Sequence, residues 1–429
     1  MVRMKRFPYG HATHPDWRMA VSLVVAQIRG RMAQKGYANH PGLGLAYFSD
    51  HFAPHAEALL EALQDEFPEV SNWSGAVGVG VIATQAEYMG EPALAVMLLD
   101  LPQAAYRVFS GIAPLRAEAP SPSWERALVH ADAALPDLPE LVEELAARTS
   151  AGQLLGGLCS GTVAPLQWAW SKALEPSHSG VLRGGMSGIA FAQEAGVLQS
   201  VTHGCQATSA RMRITALQDN VLLSLDGRPA LDVLEELMLV RMDEAPEMAT
   251  RKMRHLQVAL EADEHVGVLY AGQLPPQARV STLVGVDMQR RGIVLPESAV
   301  QQKYLRFCQR NWTAARADLL RMCAELRESL APHTSLAADD NASLPAGATA
   351  EALWPEAGSE RAIAGAVYIS CSGRGGNYFG SANAELDLLH HVLGDVPVIG
   401  FFSQGEIAGQ QLHRYSGALL VFTQPVQPV

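Results

Sequence analysis

Val367-Tyr-Ile-Ser-Cys-Ser-Gly-Arg-Gly-Gly-Asn-Tyr-Phe-Gly380 is the stretch around which the chain can be read. A short apolar run stops at Ser370 and Cys371, then breaks into glycines around Arg374. Further on, Val398-Ile-Gly-Phe-Phe-Ser-Gln-Gly-Glu-Ile407 is a second apolar run ending in a polar, glycine-containing turn. Strands that end in small polar residues usually place them at a sheet edge, where a ligand can be held. The pattern points to a pocket more clearly than to a reaction.

Working outward, Ala366–Ser370 reads as a strand. A helix follows, with Leu386, Leu389 and Leu393 on one face and Gly394 placed to cap it. Val398–Phe402 and Ala418–Phe422 are two further strands. The same order of strand, helix, strand, strand occurs near the start. Leu43–Ser49 is a strand, and a helix carries Leu59, Leu60, Leu63 and Phe67 up to Pro68. Trp73–Ile82 and Ala93–Leu99 are strands. Aligning Ala46-Tyr-Phe-Ser49 with Val367-Tyr-Ile-Ser370, and Gly75 with Gly400, gives an internal structural repeat.

Between the copies, Leu154–Ser160 has the same strand-to-small-residue ending. Val181–Phe191 and Val197–Cys205 read as a hairpin pair. Asn220–Leu225 is a short strand, and Asp226-Gly227 is a tight-turn signal before a helix that Pro229 can start. Beyond a boundary placed between Gly227 and Pro246, strands are expected at 266–270, 280–286 and 292–294. A helix from Thr313 to Leu330 has Cys323 on its apolar face. Residues 331–360 turn to Ala, Asp, Ser, Pro and Gly and read as an inserted mobile loop. The expected division is a lead-in with a helix (1–40), a domain at 41–235 and a second at 236–425. The fold expected is α/β (α+β): two related domains with mainly antiparallel sheets and flanking helices, stacked as αββα layers.

The chain has 429 residues, too many for one ordinary core, and at 48% hydrophobic and 18% charged it has a globular composition. A formal charge of -12 with no basic block argues against nucleic acid and anionic membrane surfaces. No run approaches the roughly 18 apolar residues of a membrane helix, and the basic start lacks the apolar core of a secretory signal. Five cysteines, odd in number and without CxxC spacing, read as reduced thiols of a cytoplasmic protein.

Taken together, the chain resembles the FIST family of sensory domains. The most specific match is Ser370-Cys-Ser-Gly-Arg-Gly375 with Gly400-Phe-Phe-Ser-Gln-Gly-Glu-Ile407. Trp73-Ser-Gly75, Glu87-Tyr88, Pro92-Ala-Leu94 and Gly204-Cys205 resemble the N-terminal part of the family, and Leu225–Leu234 resembles its domain junction. Two positions depart from the pattern. Arg310 is followed by Asn311 where Asp is expected, and Cys205 by Gln206-Ala207 where proline is common. The resemblance implies sensing. A small molecule, with amino acids among the proposed ligands, is bound and the state passed to a partner such as a histidine kinase, a chemoreceptor or a cyclic-dinucleotide enzyme. It also implies an alternative, a haem-based nitric oxide sensor. No output module is read within these residues, so the signal is expected to pass to a separate protein.

The candidate ligand-binding residues are Cys371, Arg374, Gly375, Asn377, Ser403 and Glu406. Arg374, flanked by glycines, can clamp a carboxylate while backbone amides approach the same anion. Its bland reading is a structural arginine paired with Glu406. Glu406 can bind a ligand amine, which with Arg374 would suit an amino acid; its bland reading is a turn-stabilising carboxylate. Cys371, with His413 and Glu406, has the residue types of a cysteine-dependent hydrolase, against which stands the commoner inert buried thiol. The leading expectation is not an enzyme. Among fourteen histidines, His203 beside Gly204-Cys205 is the candidate haem ligand if haem binds. No CxxCH is present, so covalent haem is excluded. His11-x-x-His14 and His51-x-x-x-His55 lack carboxylate or thiol partners nearby, so no metal site is expected. Gly78-Val-Gly-Val-Ile-Ala83 matches a dinucleotide fingerprint, but no helix is expected after it, and the site is rejected.

Overall fold

The computed structural model describes residues 5–115, 124–159, 165–262, 272–275, 278–296, 302–330 and 361–425. The expected strand at 266–270 and the loop at 331–360 lie outside these. Among the described residues there are seven α-helices: α1 (Trp17–Met32), α2 (Ala56–Glu66), α3 (Leu138–Ala146), α4 (Ala230–Met238), α5 (Pro246–Met253), α6 (Trp312–Leu330) and α7 (Ala384–Leu393). They flank four mainly antiparallel sheets, an α/β architecture. No helix among the described residues is long and apolar enough to cross a membrane.

The repeat expected between the two ends of the chain is present in the strand pairing, and a third copy lies between them. In the first unit Leu43–Ser49 runs parallel to Asn72–Gly78 and antiparallel to Ala93–Leu99. In the second, Arg126–Asp132 runs parallel to Gln153–Cys159 and antiparallel to Met186–Phe191. In the third, Arg361–Cys371 runs parallel to Val398–Ser403 and antiparallel to Ser416–Pro425. A lead strand edges each sheet: Tyr9–Thr13, Tyr106–Ser110 and Val197–His203 respectively. The helices α2, α3 and α7 make the three parallel crossovers, as parallel pairing requires a long connection.

After its parallel pair each unit makes a hairpin and gives it away. The first unit's hairpin, Gly80–Ala83 and Ala86–Met89, pairs with Val398–Ser403 of the third. The second unit's, Leu166–Ser171 and Gly180–Arg183, pairs with Asn72–Gly78 of the first. The third unit's, Glu406–Gly409 and Gln411–His413, pairs with Gln153–Cys159 of the second. The exchange is cyclic and joins the three six-stranded sheets. Their inner faces share one core, to which Leu45 and Tyr47, Leu128 and Leu155, and Ile369 and Phe401 contribute. The outer faces are covered by helices, with α1 and α2 over the first sheet and α6 and α7 over the third.

Three glycines fix the register. A Cβ built on Gly75, Gly156 or Gly400 would lie 1.8, 1.9 or 1.7 Å from the carbonyl oxygen of Ala46, Val129 or Tyr368. The match of Gly75 with Gly400 therefore holds. The tyrosine match is one residue out of step. Tyr47 points into the shared core, whereas Tyr368 points outward under α6 and α7. A one-residue slip moves a strand's side chains to the opposite face, so Tyr368 corresponds to Ala46, and Cys371 to Ser49.

Two local readings change. Met186–Phe191 and Val197–His203 are not a hairpin, since their partners are Arg126–Asp132 and Ser416–Pro425. Adjacent apolar strands carry no mark of which distant strand they pair with, and the cyclic exchange decides it. The pairing also crosses the expected division at residue 235, because Val197–His203 is an edge strand of the third sheet.

The third unit carries an insertion between its lead strand and α6. There the chain forms the fourth sheet, whose central strands are Leu256–Glu261, Tyr304–Arg310, Met212–Gln218 and Val221–Leu225. The predicted turn at Asp226-Gly227 is present, with φ of 49° and 77°. Helices α4 and α5 pack on this sheet through Leu231, Leu234, Ala249 and Met253. The short strand Cys205–Ala207 pairs with Tyr304–Arg310 and joins the insertion to the end of the lead strand.

Candidate functional site

The strand Arg361–Cys371 ends where expected, and the glycine turn follows. Arg374 N–H donates to the Cys371 carbonyl at 2.8 Å, folding the turn back on the strand end. The Arg374 side chain is turned inward and is 1% exposed. Its partner is Glu385, in the first turn of α7, to which Nε donates at 2.9 Å and Nη2 also donates. Tyr368 Oη donates to the same carboxylate at 2.7 Å and Ser370 Oγ at 2.9 Å. Arg374 is thus a structural arginine, but its partner is Glu385 and not Glu406, the partner named in the bland reading. The guanidinium is neutralised beneath α7, on the outer side of the sheet. Glu385 lies one turn before Leu389 on the apolar face of α7, a position that marks it as a buried carboxylate in need of a cation.

Glu406 is fully buried at the start of its hairpin. Ser403 Oγ donates to it at 2.6 Å, and Ser416 donates through Oγ at 2.6 Å and through N at 3.2 Å. Burial pushes its carboxyl up to about 7, against the pull of these donors and of Arg374. Cys371 is 7% exposed, and its thiol is pushed up to about 11, first by burial and then by the Glu406 charge. It is therefore a protonated thiol at neutral pH. His413 lies opposite Glu406 across the hairpin, and burial lowers it to about 3. The trio expected for a hydrolase consists of a thiol and an imidazole that burial keeps neutral, a poor nucleophile and base.

Gly375 lies against Phe402, whose ring a Cβ would meet at 2.8 Å, and Asn377 is exposed. The turn is held from the other side by the first unit's hairpin. Gly376 N–H donates to Glu87 Oε2 at 3.1 Å, and Glu87 N–H donates to Asn383 Oδ1 at 2.7 Å. Burial raises Glu87 to about 7, and Glu385 and Asp387 add to the rise.

Three segments separate in sequence meet at this turn. Gly204 N–H donates to the Tyr415 carbonyl at 2.9 Å. The Gly204 carbonyl accepts from Tyr378 Oη at 3.1 Å and from Asn311 N at 3.2 Å. Arg310 lies over the rings of Tyr378 and Tyr415, 4.7 and 4.4 Å from their centroids, and donates to the Gly373 carbonyl. Thus Gly204-Cys205, Arg310-Asn311 and Ser370–Gly375 form one junction between the third unit and the insertion. Asn311 caps α6, accepting from the amides of Thr313 and Ala314. It does what Asp would do there, so the departure at this position keeps the cap.

Beside the junction is a pocket of about 630 Å³. His203, Cys205 and Gln206 form one wall, Asn311, Thr313, Ala314 and Ala317 on α6 another, and Gly272–Leu274 of the insertion a third. Asp318 and Arg321 close one end. Asp318 Oδ2 accepts from His203 N at 2.7 Å and Thr202 Oγ1 at 3.0 Å, while Oδ1 accepts from Arg321. His203 is 1% exposed, and its ring centroid lies 5.9 Å from that of His413. Of the seven residues singled out by sequence, His203 lines this pocket; the other six belong to the turn and hairpin behind it. Thr313, Asp318 and Arg321 were missed because the helix was read by its apolar face alone. Among the described residues no group of three or more His, Cys, Asp or Glu side chains could hold a metal ion.

The model of the FIST N domain matches residues 42–228, and that of the FIST C domain matches residues 230–409. The chain belongs to the FIST family. FIST domains are associated with sensory signal transduction. The boundary between the two FIST matches falls within the fourth sheet, before α4. An uncharacterized protein of Mycobacterium tuberculosis is 26% identical, covering 97% of this chain and 99% of its own length. One of Mycobacterium bovis is 24% identical, covering 98% of this chain and all of its own. This FIST chain is thus similar to those proteins along its whole length, insertion included.

Proposed function

We propose that this FIST protein is a non-enzymatic sensor that holds a small polar molecule, of the size of an amino acid, in the pocket between α6 and the insertion. The observation that carries this is the pocket's place: its walls come from both sides of the junction where the FIST N and FIST C motifs meet. An occupant bridging the walls would change how the insertion sits on the third unit, and a separate partner can read that change. A histidine kinase, a chemoreceptor or a cyclic-dinucleotide enzyme are the partner classes the family suggests. In this reading Arg374, Cys371, Gly375, Ser403 and Glu406 support the junction from behind, and Asn377 lies on the outer surface of the turn.

The lining is mostly apolar, with a few polar groups set in it that can orient a small molecule. Gln206, Gln273 and Thr313 line it beside Leu274, Ala314 and Ala317, while Asn311 Nδ2 donates to Gln206 Oε1 at 2.8 Å. The test is calorimetric titration with the common amino acids, on wild type and on Ala317→Trp, which puts an indole on the α6 wall and obstructs the pocket. Saturable binding to wild type and its loss in the variant support the reading; equal binding by both overturns the site.

A haem sensor is the second reading, favoured by one observation: His203 lines the pocket. Haem would supply an iron able to take a diatomic gas, with His203 as the protein ligand. A Soret band after haem reconstitution, lost in His203→Ala, would decide for haem.

A further inference from the structure

The wall of the pocket contains two thiols that nothing above uses. Cys205 is 5% exposed and lines the pocket; Cys308 is fully buried behind it. They lie on adjacent antiparallel strands, where Cys205 pairs with Arg310 and Ala207 with Cys308. The two cysteines are therefore diagonal neighbours on the same face of the sheet. Both belong to one small cluster with Ala259, Leu274, Ala278 and Val280. The neighbouring Cys205 and burial hold the Cys308 thiol well above its ordinary value, and Cys205 Sγ donates to Gln257 Oε1 at 3.6 Å. The remaining cysteines belong elsewhere: Cys159 to the shared core, Cys323 to the face of α6, and Cys371 to the strand end by Glu406.

We infer that Cys205 and Cys308 form an oxidisable dithiol, with the pocket admitting a small hydroperoxide to Cys205. The first step breaks the O–O bond. Cys205 sulfur takes the terminal hydroxyl to become a sulfenic acid, and the alkoxide leaves with the thiol proton as an alcohol, or as water if the oxidant is hydrogen peroxide. In the second step Cys308 sulfur attacks the sulfenic sulfur. The S–O bond breaks, the S–S bond forms, and water leaves with the Cys308 proton. Two electrons pass from the thiols to the peroxide. Cys308 needs no access to solvent, because its reaction partner is the neighbouring side chain. The sulfurs must close to about 2.05 Å, which for diagonal neighbours requires the short strand Cys205–Ala207 to shift against Tyr304–Arg310. That strand is the link between the lead strand and the insertion, so oxidation acts on the same junction as pocket occupancy.

The experiment is peptide mapping of the folded, fully reduced chain after exposure to hydrogen peroxide, with free thiols alkylated before digestion. The expected result is a cross-linked peptide pair containing Cys205 and Cys308, two hydrogens lighter than its reduced parts, while Cys159, Cys323 and Cys371 remain alkylated. In Cys308→Ser the expected product is a sulfenic acid on Cys205, trapped by dimedone. Both cysteines recovered alkylated from wild type would overturn the inference, as would oxidation centred on Cys371, or sulfinic Cys205 without a cross-link. The wild-type map decides the matter even if the variant does not fold.

Discussion

Arg374 and Glu385 form an ion pair from which water is excluded, with side chains 0% and 2% exposed. Tyr368 and Ser370 donate to the same carboxylate, so its lone pairs are used within the protein. Removing one partner of a buried, hydrogen-bonded pair leaves an uncompensated charge, which costs about 3–5 kcal/mol. Glu385→Ala and Arg374→Met should each lower stability by that order. The double variant should lose clearly less than the two losses added together. Urea denaturation of the four proteins checks this, and strict additivity would show that the pair is not coupled.

The register glycines set a second expectation. Gly400→Ala places a methyl on the Tyr368 carbonyl, and backbone must move to admit it. Overpacking of this kind costs about 1–3 kcal/mol or more. Gly30→Ala, on α1 where a Cβ meets nothing within 4 Å, should instead stabilise by about 0.5–1 kcal/mol through helix propensity. Thermal melts of the two variants should move in opposite directions. A Gly400→Ala protein as stable as wild type would contradict the tight parallel pairing.

Two carboxyls give the fold a pH dependence. Glu406 and Glu87 are both raised from an ordinary value of 4.5 to about 7. Between those values the folded chain retains protons that the unfolded chain has released. Stability therefore falls as pH rises from about 4.5 to about 7, then levels off with respect to these groups. Glu406→Gln, which keeps hydrogen-bonding capacity without the charge, should flatten that slope. Denaturation midpoints measured across this range check the sign, and a slope unchanged in the variant would rule Glu406 out as its source.

Asp318 ties α6 to the end of the lead strand through Thr202 and His203. Hydrogen bonds to a charged group contribute about 1.5–3 kcal/mol each. Asp318→Ala should free this strand end, seen as faster amide hydrogen exchange at His203 while the paired amides toward Val197 stay protected. Unchanged exchange at His203 would count against the tether.

Much of this architecture is legible in the sequence, and the rest is hidden for physical reasons. Gly75 and Gly400 mark the repeat because a carbonyl occupies the space a side chain would need. The Tyr47 and Tyr368 match misleads because both faces of these strands are buried, so apolar residues occur without the alternation that would reveal register. The second unit escaped notice as a full copy, and the hairpin exchange has no local signature at all. At the site, the motifs at Gly204, Arg310 and Arg374 were each visible, but their meeting depends on the insertion closing back on the third sheet. Glu385 could have been found from its place on the buried face of α7. Asp318 and Arg321 could not, since nothing in a helix's apolar periodicity separates a pocket-facing polar residue from a solvated one.

The central claim, that a small molecule occupies the pocket beside His203, is tested most directly by native mass spectrometry of freshly purified protein, with Ala317→Trp prepared in parallel. The account predicts a non-covalent small-molecule adduct on wild type, or one formed on adding the molecule found by calorimetry, and its absence from the folded variant. An adduct of equal occupancy on Ala317→Trp, or a wild-type protein that takes up none of the molecules offered, would contradict it.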